Sequence, residues 1–365
     1  MERARRYHGP LYAVRLAELA LSIAVPAALA FGQSGRLVER ISWWWLEVLA
    51  LTAIVVLAGT LAQLPLSLYR FRHERRWGFS TQSLRGWAAD RLKGLGVGLV
   101  LLGAALLGLV GLARAFPSAW PLVAGAGAAL LVLLLSFVAP VVLEPIFNRF
   151  RPLEDERLAG SLRGLADRAG VPVRDVLVAD ASRRTRKHNA YVSGLGRTRR
   201  VVLWDTLLDR SREPELKLVV AHELGHRRFR HVAWGTALGM AGAAASAAIL
   251  WACLESEWLL DALGISGAGD PGVVPFAVLL FTALDLVATP PGAALSRRFE
   301  RTADRFSLDL TNDPDAYEAA HLALARENLS DLDPPRLYHV ALQSHPTAPE
   351  RIAAGRAWKQ ARRSE

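Results

Sequence analysis

Residues 213–254 read EPELKLVVAHELGHRRFRHVAWGTALGMAGAAASAAILWACL. From Val232 to Leu254 there is no charged residue, and about 20 apolar residues are what a helix needs to cross the hydrocarbon core of a bilayer. The residues before that run keep helical spacing, with Leu216, Val219 and Val220 apolar, and no proline or glycine-rich break separates the two parts. The stretch therefore reads as one helix from Glu213 through Leu254, tolerant of Gly225, that enters a membrane at Val232. Its polar half carries residues able to do chemistry at the mouth of a span.

Five further segments approach or pass the same test: Leu11–Phe31, Trp43–Tyr69, Leu95–Ala113, Trp120–Leu143 and Val273–Leu295. The first follows a basic start, as in a signal peptide, and is interrupted by Arg15 and Glu18, but its length and the lack of a clear small-x-small cleavage site favour a span. The 365 residues are 52% hydrophobic with a mean hydropathy of +0.21, which excludes an ordinary soluble protein. A net charge of +10 could suit nucleic acid, but the basic residues crowd beside apolar runs, so the partner implied is the lipid bilayer and no nucleic acid. The single cysteine, Cys253, excludes a disulfide framework and a cysteine-based metal site. Any metal must be held by His, Asp or Glu.

Loop charge sets the orientation. Residues 70–93 carry Arg70, Arg72, Arg75, Arg76, Arg85, Arg91 and Lys93, whereas the opposite loops carry only Arg36, Arg40 and Arg114, and 255–272 is acidic. The positive-inside rule places both termini, 70–93, 148–231 and 296–365 in the cytoplasm. Only Lys93, Lys187, Lys217 and Lys359 of the 44 basic residues are lysines, a bias of GC-rich coding that points to a bacterial inner (plasma) membrane. The expected organisation is a membrane region of four spans over 1–147, a cytoplasmic α/β segment over 148–231, two more spans over 232–295 and a helical cytoplasmic segment over 296–365. Within the α/β segment, Asp155–Ala169 has helical periodicity, while Asp175–Ala179, Ala190–Ser193 and Val201–Trp204 read as short strands.

His222-Glu223-Leu224-Gly225-His226 is an HExxH pattern. Residues four apart share a helix face, so both imidazoles can reach one zinc while Glu223 addresses a water opposite them. A catalytic zinc needs a third protein ligand and one open position. His226 precedes the membrane entry at Val232 by six residues, roughly 9 Å, and Glu300 follows the exit at Leu295 by five, roughly 7.5 Å. If the fifth and sixth spans are antiparallel neighbours, the two lie at one depth and Glu300 is the preferred third ligand. A surface ion pair of Glu300 with Arg297, Arg301 or Arg305 is the alternative that spacing leaves open. Asp304, one turn beyond Glu300, is placed to accept the free N–H of a ligating imidazole. One zinc ion per chain, with Glu223 taking the proton of an activated water, makes a peptide hydrolase that needs no acyl-enzyme.

These residues, with Ser296-Arg297-Arg298-Phe299-Glu300-x-x-Ala303-Asp304 and His345-Pro346-Thr347-x-x-x-Arg351, resemble the integral-membrane CAAX prenyl proteases, a gluzincin-type zinc endopeptidase family. Leu64-Pro65-x-Ser67-Leu68-Tyr69, Trp77-Gly78-Phe79-Ser80-x-Gln82-Ser83-Leu84, Pro145-Ile146-Phe147-Asn148-x-Phe150, His188-Asn189-Ala190-Tyr191 and Val201-Val202-Leu203-x-Asp205-Thr206-Leu207-Leu208 extend the likeness over nearly all of the chain after residue 40. The resemblance implies a mainly α, polytopic fold in which six transmembrane helices surround a chamber, with a cytoplasmic zinc-metalloprotease domain carrying a small β-sheet. It also implies Glu223 as general base, His222, His226 and Glu300 as zinc ligands, and Asp304 as partner of a ligand. Asn189 and Ala190 then lie on an edge strand that pairs with substrate backbone, and His345 stabilises the oxyanion with Arg351 in support at the substrate. Eukaryotic members carry one more span ahead of the first span here, and a bacterium lacks the prenylated proteins that name the family. The substrate expected is thus a peptide or protein, membrane-associated or lipidated.

A heat-shock-type quality-control zinc protease shares HExxH and a downstream glutamate but resembles the first spans less. A non-catalytic scaffold derived from a protease would have no use for Glu223. Of the remaining conspicuous residues, His231 is read as interfacial and off the ligand face, and Trp43, Trp44 and Trp45 as an external aromatic belt. Asp285, mid-span, either faces a wet chamber or pairs with another helix, and Pro290-Pro291 should kink the sixth span.

Overall fold

The computed structural model describes residues 2–194 and 198–364. In chain order its principal elements are α1 (Glu2–Phe31), α2 (Trp44–Arg76), α3 (Leu84–Ala115), α4 (Trp120–Val138), a π-helical turn (Ala139–Leu143), α5 (Glu144–Phe147), β1 (Phe150–Pro152), α6 (Glu156–Arg168), β2 (Asp175–Ala179), β3 (Ala190–Ser193), β4 (Arg200–Trp204), α7 (Asp205–Leu208), α8 (Glu213–Arg228), α9 (His231–Leu254), α10 (Glu257–Leu263), α11 (Val273–Thr311), α12 (Pro314–Glu327), α13 (Arg336–Leu342) and α14 (Ala348–Arg363).

Among the described residues, six helices are long and apolar enough to cross a membrane: α1, α2, α3, α4 with its continuation to Phe147, α9 and α11. They coincide with the six expected spans. Each packs on the next around a ring, α1 on α2, α2 on α3, α3 on α4, α4 on α9, α9 on α11 and α11 on α1, and α11 also touches α2. No more than 28% of the most apolar window of any span is buried. The contacts between neighbours leave most of each span's apolar surface for lipid on the outside or for a chamber that the helices surround. One end is closed by a shared apolar core that includes Leu51, Leu106, Val110, Leu250 and Val274.

The other end gathers the segments that loop charge assigns to a single side. Tyr7 donates to Glu74 at 2.7 Å, Lys187 donates to Glu74 at 3.0 Å, and Tyr12 donates to Asp331 at 2.7 Å. The N-terminal helix, the basic loop after α2, the sheet region and the C-terminal region thus meet there. Asp285 is exposed and forms no ion pair among the described residues, so the alternative in which it pairs with a neighbouring helix is not realised.

The sheet has the order β1-β2-β4-β3, with β2 and β4 parallel and both outer pairs antiparallel. Val176 lies opposite Val201 and Val178 opposite Leu203, the branched pairs that favour a pleated surface. The sequence reading misses β1, a three-residue edge strand ending in proline and too short to show alternation. Asp155 caps α6 by accepting from the Leu158 amide at 2.9 Å. The buried face of α6, with Leu158, Leu162 and Leu165, shares a core with β2, β3, β4 and the Leu216, Val220 and Leu224 face of α8.

The expected continuous helix 213–254 is in fact two. It breaks at Phe229 and Arg230, the latter left-handed at φ 56°, and α9 starts at His231. The reason lies in the partners: α8 packs on α11 and α12, whereas α9 packs on α4 across the ring. One straight rod cannot serve both, and the strain of about 1–2 kcal/mol in a left-handed non-glycine residue is outweighed by that burial. Conversely, α11 runs unbroken through Pro290 and Pro291, so the sixth span and the residues around Glu300 form a single helix across the expected boundary at 295.

Candidate active site

Gly225 brings the HExxH helix onto α11. A Cβ built at this position would lie 3.1 Å from the Cα of Ala303, so only glycine lets the two backbones approach so closely. That approach puts His222, His226 and Glu300 face to face, with one donor atom from each within 4.8 Å of the others. His222 Nε2 lies 3.3 Å from Glu300 Oε2, His226 Nε2 lies 3.4 Å from Glu300 Oε1, and the two Nε2 atoms are 3.1 Å apart. Glu300 turns its carboxylate to the imidazoles rather than to a surface arginine.

The back of each group is held. His222 Nδ1 donates to Asp304 Oδ1 at 2.9 Å. Arg351 donates to the same carboxylate through Nε at 2.9 Å and through Nη2. Arg351 Nη2 is also 3.2 Å from His222 Nδ1, but both are donors once Nε2 of the imidazole turns its lone pair forward, so Asp304 accepts from each. Arg351 Nη1 reaches to 3.8 Å from Glu300 Oε2. Arg351, expected to support the substrate, therefore has its guanidinium engaged by the two carboxylates. Asp304 likewise touches an imidazole and an arginine, which makes it a positioning group.

Whether these residues suit a metal ion can be judged from their electrostatics. Burial disfavours the imidazolium of His222, yet the carboxylates of Asp304 and Glu300 beside it outweigh that cost and raise its pKa to about 9, so the site favours a positive charge here. Glu300 Oε2 is buried without a hydrogen-bond partner. With a metal ion in place of the imidazolium proton, two imidazole nitrogens and a carboxylate oxygen converge on one cation, and the donor set is the two-histidine, one-carboxylate kind that zinc accepts in hydrolases.

In front of the cluster lies a cleft of about 330 Å³ lined by Asn189, Ala190, Glu223, His345 and Arg351 among others. Glu223 makes no hydrogen bond among the described residues, and burial raises its carboxyl above the ordinary range, the condition of a base ready to take a proton. His345 Nε2 is 3.3 Å from Glu300 Oε1, and Nδ1 lies 2.8 Å from Ser344 Oγ. Ala190 belongs to β3, the edge of the sheet. Trp204 N–H bonds the Asn189 carbonyl, so by antiparallel alternation Ala190 and Val192 turn their amides outward. Arg227 holds the Val192 carbonyl at 2.5 Å, and among the described residues the Ala190 N–H meets the Asn189 side-chain oxygen at 2.9 Å.

Sequence reasoning missed three residues here. His321 is buried behind Asp304, with Nε2 4.0 Å from Oδ1. His188 is bracketed by Asn328, whose Oδ1 accepts from the His188 amide at 3.0 Å. His231, taken as interfacial, is buried against His226. No local signal marks His321, His188 stands in the His188-Asn189-Ala190-Tyr191 stretch without a role of its own, and His231 depends on the helix break at Arg230.

Comparison with known proteins agrees with this geometry. Residues 152–359 match peptidase family M48, and residues 15–149 match the CAAX prenyl protease N-terminal region, described as five membrane helices; four of the candidate spans fall in the latter segment. The chain is 30% identical over 320 residues to an uncharacterized metalloprotease, YhfN, of Bacillus subtilis (strain 168), covering 84% of this chain and 73% of that one. It is 28% identical over 313 residues to CAAX prenyl protease 1 of Saccharomyces cerevisiae, covering 81% and 69%. The crystal structure of S. mikatae Ste24p superposes with a TM-score of 0.79 at 27% identity, covering 86% of this chain and 77% of that chain. With an intact HExxH cluster and these relatives, the scaffold alternative has no support. The chain belongs to peptidase family M48 and is a multi-pass membrane metalloprotease.

Proposed function

We propose that the protein is a zinc endopeptidase of the CAAX prenyl protease type, set in a bacterial inner membrane with its site toward the cytoplasm. The observation that carries this reading is the convergence of His222, His226 and Glu300 beside an unpaired Glu223. His222, His226 and Glu300 would hold the ion. Zinc in such a site supplies an acidified water and polarises a carbonyl. Glu223 takes the proton at its carboxylate and returns it to the departing amine. Asp304, gripped by Arg351, fixes the tautomer and rotation of His222. The substrate strand lies along β3, where its carbonyl displaces the Asn189 side chain from the Ala190 N–H. His345 donates to the oxygen that gains charge as the carbonyl is attacked. The substrate is a peptide whose protein sits in or on the membrane, by a span or a lipid, because an apolar cavity between α4 and α9, lined by Leu133, Phe137 and Met240, reaches His226.

Metal analysis and peptide turnover of the purified protein test this. Glu223→Gln should retain zinc and lose turnover, and His226→Ala should lose both. Stoichiometric zinc in the His222→Ala/His226→Ala double variant would overturn the ligand set.

A further inference from the structure

His231 is the first residue of α9 and is buried, although it sits at the mouth of a span. Its Nδ1 is 3.1 Å from His226 Nδ1. Its ring lies flat on Phe299, with centroids 4.1 Å apart and planes 6° apart, and Phe229 stacks on it at 5.9 Å. On an uninterrupted helix a residue five positions after His226 would point roughly 140° away from it at 3.6 residues per turn. The left-handed Arg230, at φ 56°, turns the chain so that His231 comes back to His226.

We propose that His231 is a positioning residue for the metal site: it accepts the Nδ1–H of His226 and so holds that imidazole in the tautomer and rotation that present Nε2 to the ion. The inference rests on the ligand set proposed above and concerns how one member of it is held. His226 Nε2 points at Glu300 Oε1, 3.4 Å away, and at His222 Nε2, 3.1 Å away. To bind a cation Nε2 must offer its lone pair, so the ring proton resides on Nδ1. Among the described residues the hydrogen-bonding atom that meets this N–H is His231 Nδ1, which must then carry its own proton on Nε2. The two aromatic rings lock the plane of His231, and Phe299 adjoins Glu300 in the chain, so the acceptor is tied to the third ligand. His222 and His226 thereby gain separate supports, Asp304 for the one and His231 for the other. Outer partners of this sort fix ligand orientation and raise ligand basicity, and their loss typically weakens metal binding about 10–100-fold.

The experiment reads metal binding in the purified full-length protein in detergent, by competition with a chromogenic zinc chelator, together with the melting temperature of the zinc-stripped protein. His231→Ala should weaken zinc binding by about 10–100-fold, and His231→Asn, whose side-chain oxygen can stand where Nδ1 does, should recover most of it. A residue that only fills space predicts something else: a lower melting temperature with wild-type zinc affinity in the folded fraction. That result, or an asparagine variant no better than alanine, overturns the proposal. Should His231→Ala fail to fold, His231→Asn is compared with His231→Leu, and equal affinity in those two overturns it as well. His226→Ala is the control for the ligand set. If it keeps zinc, the proposed ligands are wrong; if it loses zinc while His231→Ala binds like wild type, only the present inference falls.

Discussion

Replacing Gly225 with alanine should loosen the metal site far more than it loosens the fold. The added Cβ would stand 3.1 Å from Ala303 Cα, 3.2 Å from Phe306 Cδ1 and 3.3 Å from Ala303 Cβ. Carbon pairs are comfortable at about 3.5–4.0 Å, and two of the three contacts belong to an α-carbon and its methyl, which no rotamer change can move. The α8 and α11 backbones must therefore separate by roughly half an ångström. Overpacking of this kind costs about 1–3 kcal/mol, and the gain in helix propensity from glycine to alanine returns about 1 kcal/mol, so stability should fall by about 0–2 kcal/mol. The site is less forgiving. His222 and His226 ride on α8 and Glu300 on α11, at 3.3 and 3.4 Å, and metal sites tolerate only about 0.2 Å of error in ligand distance. Zinc affinity, measured by chelator competition, should drop at least about tenfold, with a small change in the melting temperature of the zinc-stripped protein. Gly235→Ala is the control, because a Cβ there meets nothing within 4 Å, and it should leave zinc binding alone. A Gly225→Ala protein that binds zinc as tightly as wild type would refute the argument that this glycine sets the distance between the ligand helices.

Three further outcomes follow from the same geometry. His345→Ala should bind zinc normally and lose about a hundredfold in kcat with little change in KM, an oxyanion contribution on the order of 3 kcal/mol; loss of zinc in that variant would make His345 a ligand instead. In a Cys253→Ser background, cysteines placed at Ser80 and Ser211 should be shielded from a membrane-impermeant thiol reagent in intact cells, whereas one at Ser266 should react, and ready labelling at Ser211 would place the site outside. Burial holds the His321 imidazole down at about 3, below the value near 6.5 of an unfolded chain, so the folded form stays neutral while the unfolded form takes up a proton as pH falls through about 6.5. That group removes stability, at about 1.4 kcal/mol per pH unit, from pH 6.5 down towards 3. His321→Gln should therefore lose less thermal stability than wild type between pH 7 and pH 5, and identical losses in the two proteins would contradict the assignment.

The spans, the three longer strands, the HExxH face and the nearness of Glu300 to that face were legible in the chain itself. Each is a local pattern: an apolar run, an alternation, a spacing of four, or a count of residues from a membrane boundary. What tertiary structure alone decided is where two helices from distant parts of the chain needed to go. Nothing around Arg230 announces a break, since no proline or glycine stands there, and the turn exists because α8 and α9 have different partners. His231 moves from the interface to the metal site on account of that turn. Arg351 pairs with Asp304 for a similar reason, because the buried carboxylate of Asp304 on α11 needs a countercharge and α14 brings one within 2.9 Å. Gly225 looked like a residue that a helix merely tolerates, and the structure makes it the point of closest approach between the two ligand-bearing helices. Periodicity and charge are written residue by residue, whereas the direction of a helix after its last turn depends on what it packs against, and that information lies some hundred residues away in the sequence.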